Sequence, residues 1–342
     1  MMKYFLEKLL NKEDFTVDEM KAATNRCLNE NVTTSELAAF LTALRAKGET
    51  AEEMTGIVEV IRSHSALNTI NLNHAMDNCG TGGDQSYSFN ISTTAAFVIA
   101  GAGITVAKHG NRSISSKTGS ADVLEHLGVS LSFSKEQAEY VLQENKIAFL
   151  YAPHVHTTLK RFMDVRKDLG LPTIFNVIGP LTNPVDLDAQ MIGVYDPELI
   201  PKMINSLNQL KRRRAIVVHG AGGMDEVSLA GNNKLALLDR GEVIQFTLHP
   251  NDVDLPTYPL HAIRGGTAKE NAHILLEVLK GRPSPYYDTT IVNAGVGLFA
   301  HGSVQTIQEG ISVAKESIAS GAAMDRLQQL INYSQKMKHE VM

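Results

Sequence analysis

The hydrophobic pattern of this chain changes character once, near Asn71, and that change constrains the fold more than any other feature. Up to about residue 70, apolar residues recur only at helical spacing. Thr16 with Glu19, Thr33 with Glu36, and Thr50 with Glu53 form Thr-x-x-Glu pairs. In such a pair each side chain can satisfy the other residue's backbone N–H, which starts a helix. After Thr33, the residues Leu37, Phe40, Leu41 and Leu44 make one apolar stripe, and Gly48 ends that helix.

Beyond Asn71, short β-rich runs alternate with helical stretches. Strands are predicted at residues 104–107, 148–151, 215–218 and 289–292, and helices at Lys135–Asn145 and Ala268–Leu279. This alternation specifies an α/β layer with a largely parallel central sheet and flanking helices. The expected organisation is a small helical domain over residues 1–70 and a larger α/β domain over 71–342. A segment near 165–190, carrying Gly179-Pro180 and Asn183-Pro184, is expected to cross back and complete the helical part.

Composition excludes several classes. The 32 basic and 37 acidic residues leave a net charge of -5, which argues against a general nucleic-acid binder. No apolar run approaches the ~20 residues of a membrane span. Cys27 and Cys79 are far apart and lack metal-ligand spacing. A reducing, cytoplasmic setting is expected.

The richest local signal is Asp77-Asn78-Cys79-Gly80-Thr81-Gly82-Gly83-Asp84. Its glycines let the backbone turn tightly and bring N–H groups close to a ligand. Asn90-Ile91-Ser92-Thr93 follows and opens an apolar helix, whose N-terminus favours an anion. Together they make a pyrophosphate cradle; alone, they are equally a tight turn and an N-cap. No Gly-Lys-Ser/Thr closes the loop, and Gln85 stands where a dinucleotide fingerprint needs its third glycine. Gly295-Val296-Gly297 matches that fingerprint better, after the strand predicted at 289–292. It lies too near the end for a nucleotide-binding half and is read as helix–strand packing. A second polar loop, Lys108 to Ser120, leaves the strand at 104–107 and ends at a helix from Ala121. Its cations, amide and hydroxyls suit a phosphate and sugar, or equally a solvated surface.

These stretches, in order, resemble the signature loops of the anthranilate phosphoribosyltransferase family. The resemblance extends through Val165-Arg166-Lys167-Asp168-Leu169-Gly170, Thr173-Ile174-Phe175-Asn176, Gly179-Pro180-Leu181-Thr182-Asn183-Pro184, Gly193-Val194-Tyr195-Asp196-Pro197 and Asp225-Glu226. It covers nearly the whole chain. It implies a fold shared with pyrimidine nucleoside phosphorylases, a homodimer, Mg2+, and transfer of phosphoribosyl from phosphoribosyl pyrophosphate (PRPP) to anthranilate in tryptophan biosynthesis.

Carried over by position, the resemblance places Gly80, Gly83, Asp84, Ser88, Asn90, Ile91, Ser92 and Thr93 on PRPP. Lys108, His109, Gly110, Asn111, Arg112, Ser113, Ile114, Ser115, Ser116 and Ser120 complete that pocket. Ser92, Asp225 and Glu226 are implied magnesium ligands. Gly80, Asn111, Arg166 and His156 are implied at anthranilate. His109, Asn111 and Arg166 are positioning candidates, and no residue is assigned a proton transfer. Departures from the family pattern are Thr118 for a serine, Gly222 for an aspartate, and Thr157-Thr158-Leu159 after His156. The competing readings are a pyrimidine nucleoside phosphorylase and a non-catalytic nucleic-acid-binding relative.

The chemistry suits these residue types. Loss of pyrophosphate from an anomeric carbon leaves positive charge on the ribose and negative charge on the leaving group. A metal and preorganised donors stabilise the latter. The nucleophile is a neutral aromatic amine, so positioning outweighs base catalysis. Arg166 can hold the anthranilate carboxylate bidentately, although a surface ion pair with Asp164 is an equally simple use.

Overall fold

The computed structural model describes residues 2–67, 70, 72, 74–112 and 118–339. Four helices open the chain: α1 (Met2–Leu10), α2 (Val17–Leu28), α3 (Thr34–Lys47) and α4 (Ala51–Ser63). Thr16, Thr33 and Thr50 each accept a hydrogen bond from the N–H of the glutamate three residues on, and each glutamate answers the threonine N–H. Leu37, Phe40, Leu41 and Leu44 are all buried, and Gly48 caps α3 with φ of 90°. Glu53 does more than cap: it also accepts from the N–H of Phe15 at 3.0 Å and pairs with Lys47 at 3.0 Å, tying three segments together.

Seven strands form one sheet: β1 (Met76–Gly80), β2 (Val106–Gly110), β3 (Ile147–Tyr151), β4 (Ala189–Gly193), β5 (Arg214–His219), β6 (Asn233–Asp239) and β7 (Glu242–Leu248). Their order is β3-β2-β1-β4-β5-β6-β7. The first five are parallel, and β6 and β7 add an antiparallel hairpin. Arg240 and Gly241 turn that hairpin with φ of 49° and 92°, the positive values a two-residue turn requires. The chain winds from β1 outward to β3, then restarts on the other side of β1 with β4. The crevice between β1 and β4 is therefore the topological switch point, where open α/β sheets bind ligands.

One hydrophobic core lies between the sheet and the helices Ile91–Gly101, Pro285–His301, Ile307–Ala319 and Ala322–His339. A second joins α1–α4 to Phe162, Val165, Ile174 and Leu181 of the crossing segment, to the helix Leu199–Gln209, and to the other face of β4–β6. Among the described residues, no helix is long and apolar enough to cross a membrane.

Two sequence expectations are corrected. Residues 289–292 are not a strand but the interior of the helix Pro285–His301. The β-branched run Thr289-Thr290-Ile291-Val292 is fully buried there, and packing overrides its strand preference. Gly295 and Gly297 therefore follow no strand. A Cβ on Gly295 would lie 2.8 Å from Ile311 N, and one on Gly297 2.6 Å from Ile99 Cδ1, so both glycines serve close helix–helix packing. The strand predicted at 104–107 is shifted to 106–110, which places Lys108 and His109 inside β2 instead of in the loop after it.

Candidate active site

All five parallel strands end at one rim, and the candidate residues gather there. Gly80 and Gly193 are paired neighbours at the ends of β1 and β4. Asp225 packs directly over both. A Cβ on Gly80 would lie 2.1 Å from Asp225 Oδ2, and one on Gly193 would lie 1.6 Å from Asp225 O. Only glycine permits this approach. Gly82 and Gly83, with φ of 73° and 84°, turn the loop back so that Gly82 N–H donates to Asp225 Oδ2 at 2.6 Å. Glu226 accepts from Ser92 N–H at 3.1 Å, at the start of the helix Ile91–Gly101. The acidic pair is anchored from behind: Asn293 accepts from Val227 N–H at 2.9 Å and donates to Val227 O at 2.8 Å.

Three carboxylates thus face one another. Asp225 is held well above the usual carboxylate range by burial, then by the charges of Asp84 and Glu226. Glu226 is pushed up to about 7 by burial, against the pull of Lys108 and of hydrogen bonds from Ser92. Asp84 Oδ1 accepts from Ser86 N–H at 3.2 Å, while its buried Oδ2 has no partner. Such crowding of acids with an orphaned oxygen fits a cation. Among the described residues, no three acidic, histidine or cysteine side chains form a ready metal cage. That pattern suits Mg2+, which takes a few carboxylates and completes its shell with waters and substrate phosphates.

Beside the acids lies a buried cation. Lys108 Nζ donates to Asn78 O at 2.6 Å and is 3% exposed. Its charge opposes the upward push that burial gives Asp77, which accepts from Asn183 Nδ2 at 2.9 Å and His109 N–H at 3.3 Å. Asn183 comes from the crossing segment and also bonds Ala107 O at 2.7 Å. Sequence reading placed Asp77 and Asn78 in the glycine-rich stretch and Asn183 in the crossing segment, but gave none of the three a role in the site.

Asn90, at the N-cap of the helix Ile91–Gly101, makes no side-chain bond to that helix's N–H groups, and Glu226 takes the Ser92 N–H. Asn90 instead bonds Asn271 and Thr118. Thr93 Oγ1 is buried without a partner. Ile91, in contrast, packs its side chain with Phe89, Met224 and Ile263. Ser88 bridges to Arg264, and a cleft of about 220 Å³ opens there, lined by Tyr87, Ser88, Thr118, Arg264, Gly265, Gly266 and Asn271. The last four lie far along the chain and gave no local motif.

The second loop is partly described. Ser120 Oγ donates to Asn111 O at 3.2 Å, and a Cβ on Gly110 would lie 2.5 Å from that Oγ. Asn111 Oδ1 accepts from Arg112 N–H at 2.7 Å. Arg112 pairs with Asp122 at 2.6 Å and Glu125 at 2.8 Å, so its guanidinium faces the helix Ser120–His126. Ser113, Ile114, Ser115 and Ser116 lie outside the described residues.

His109 and His156 stack edge to face at 5.4 Å, each 5% exposed. Burial keeps His109 well below the usual histidine range and brings His156 down to about 4. Both are neutral at pH 7. Backbone contacts to Gly179 and Thr182 only partly offset that burial. Arg166 is half-buried on the helix Lys160–Leu169. Its guanidinium meets Met163 Sδ at 3.2 Å, Asn176 Oδ1 at 3.2 Å and the Phe175 ring at 5.4 Å. Among the described residues, no carboxylate pairs with it; the alternative ion pair to Asp164 does not form.

Comparison with known proteins decides the family. The model of the glycosyl transferase family α/β domain matches residues 72–324, and its helical bundle domain matches 3–65. An anthranilate phosphoribosyltransferase of Oceanobacillus iheyensis is 54% identical over 99% of this chain and 100% of its own length. This chain belongs to the anthranilate phosphoribosyltransferase family. The crystal structure of the Thermus thermophilus enzyme matches it with a TM-score of 0.91 at 35% identity, covering 97% of this chain and 99% of that one. The Saccharomyces cerevisiae enzyme in complex with PRPP and Mg matches with a TM-score of 0.89 at 29% identity, covering 98% of each. The chain is accordingly a pentosyltransferase that joins anthranilate to the phosphoribosyl group of PRPP in tryptophan biosynthesis. Of the departures, Gly222 takes a φ of 82°, which favours glycine; Thr118 Oγ1 donates to Gly266 O at 2.8 Å and Thr157–Leu159 forms a short 3-10 turn, and nothing in the structure explains those two.

Proposed function

We propose that the rim crevice seats PRPP with Mg2+ and sets anthranilate between it and Arg166. The observation that carries this reading is the crowding of Asp84 and Glu226 around Asp225, which itself packs against Gly80 and Gly193, beside the start of the helix Ile91–Gly101. Asp225, Glu226 and Ser92 are the proposed metal ligands, joined by Asp84. Bound there, Mg2+ would stabilise the negative charge that develops on pyrophosphate.

The protein's own groups do the rest. Gly83, Ser88, Asn90 and Thr93 offer donors from the loop and helix start, and Lys108 supplies a fixed positive charge. Gly110, Asn111 and Ser120 form the far wall. Arg112 steadies that wall through Asp122 and Glu125. Arg166, paired with no acid among the described residues, receives the anthranilate carboxylate. His109 and His156, both neutral, flank the aromatic ring and transfer no proton. Holding amine and anomeric carbon together supplies most of the acceleration.

The setting we propose is a cytoplasmic homodimer, with Tyr4 and Leu10 of α1, 53% and 74% exposed, as apolar surface for a second copy. Anthranilate fluorescence tests the whole reading. It should decay with PRPP and Mg2+ present and persist when either is omitted. Phosphorolysis of uridine in place of that decay would overturn it.

A further inference from the structure

Asn271 lies on the helix Ala268–Leu279, 181 residues from Asn90, and is 3% exposed. Its amide orientation follows from logic. The N–H of Gly266 can only donate, and it lies 2.7 Å from Asn271 Oδ1. That turns Asn271 Nδ2 toward Asn90, whose Oδ1 accepts at 2.8 Å. Since an amide nitrogen cannot accept, Asn90 must spend its oxygen on Asn271 and point its NH2 the other way. One of those hydrogens spans a long 3.4 Å to Thr118 O, which leaves Asn90 donor capacity at the start of the helix Ile91–Gly101.

The seat is built closely. A Cβ on Gly265 would lie 2.7 Å from Asn271 Oδ1, and Thr118 Oγ1 closes the ring on Gly266 O at 2.8 Å. We infer that Asn271 is a positioning residue for the phosphoribosyl donor: it fixes the Asn90 amide so that N–H, and not oxygen, meets the anionic substrate. This rests on the proposed role of Asn90. A reversed amide would present a carbonyl oxygen to phosphate and turn attraction into repulsion.

A double-mutant cycle on the full-length enzyme tests it, with KM measured for PRPP and for anthranilate and folding followed by thermal melting. Asn90→Ala and Asn271→Ala should each raise KM for PRPP about ten-fold, the loss typical of a hydrogen bond to a charged group. KM for anthranilate should stay unchanged, and the double variant should be no worse than Asn90→Ala alone. Additive losses, or an Asn271→Ala enzyme with normal KM for PRPP while Asn90→Ala is impaired, overturn the inference alone. A normal KM in Asn90→Ala overturns the reading of Asn90 and the inference with it. Should Asn271→Ala melt early, Asn271→Asp carries the test. It keeps the Gly266 bond but offers Asn90 only an acceptor, so KM for PRPP should rise further than in the alanine variant. A wild-type KM there sinks the proposal.

Discussion

Replacing Gly80 by alanine adds one methyl group to the floor of the crevice, at a position with no positive φ to complicate the result. The new Cβ would lie 2.1 Å from Asp225 Oδ2, 2.6 Å from its Cγ and 2.8 Å from its backbone oxygen. Ordinary contact begins near 3.4 Å, so the Asp225 carboxylate must retreat by about 1.3 Å. It has little room, because its backbone is pinned just as closely over the neighbouring Gly193, where a Cβ would meet Asp225 O at 1.6 Å. Retreat also breaks the 2.6 Å bond from Gly82 N–H, which shapes the loop. A misplacement of about 1 Å at a reacting centre costs about a hundred-fold. Gly80→Ala should therefore lower kcat/KM about a hundred-fold and raise the Mg2+ concentration for half-maximal rate. Overpacking should cost about 1–3 kcal/mol of stability, leaving a folded protein. Steady-state fluorescence kinetics at several Mg2+ concentrations, with a melting curve as control, measures both. Wild-type kcat/KM and metal dependence in a folded Gly80→Ala enzyme would refute the packing of Asp225 against β1.

Arg166→Ala should raise KM for anthranilate about ten-fold or more while sparing PRPP, because a charge-assisted pair to the substrate is lost. Its melting temperature should change little, since no ion pair within the protein is broken; a loss confined to PRPP would count against the assignment. Glu226 makes stability depend on pH. Its folded pKa of about 7 exceeds the ordinary 4.5, so the folded state binds the extra proton between those values. The Glu226 contribution to stability without metal should therefore fall as pH rises from 4.5 to 7, the slope being set by the proton difference. Glu226→Gln should flatten that decline, and Mg2+ should stabilise the wild type most above pH 7; identical melting profiles for the two proteins would contradict the burial argument.

What the sequence made legible was local. The three threonine–glutamate caps, the stripe along α3, the helices Lys135–Asn145 and Ala268–Leu279, and the glycine loop each carry their cause within a few residues. Strand β1 was not legible, because Met76-Asp77-Asn78-Cys79-Gly80 looks like a loop until Asn183 and Lys108 satisfy its buried polar groups from elsewhere. The helix Pro285–His301 was misread for the opposite reason. Its β-branched run suits a strand, and the true signals were Ser284 and Pro285 at its start and Gly302 at its end. In the site, residues next to a motif could be named from sequence alone. The Asp225 contact with Gly193 and the Asn271 contact with Asn90 depend on long-range packing and carry no local signature.

Calorimetric titration of PRPP into the enzyme, with and without Mg2+, tests the central claim most directly when wild type is compared with Asp225→Asn combined with Glu226→Gln. The carboxylates are proposed to hold the metal against the substrate phosphates. Wild type should bind PRPP at least about ten-fold more tightly with Mg2+, the worth of one strong charge-assisted contact. The double variant should lose that enhancement while keeping its fold. An enhancement of wild-type size in the double variant would remove the acidic pair from the metal site and contradict the account.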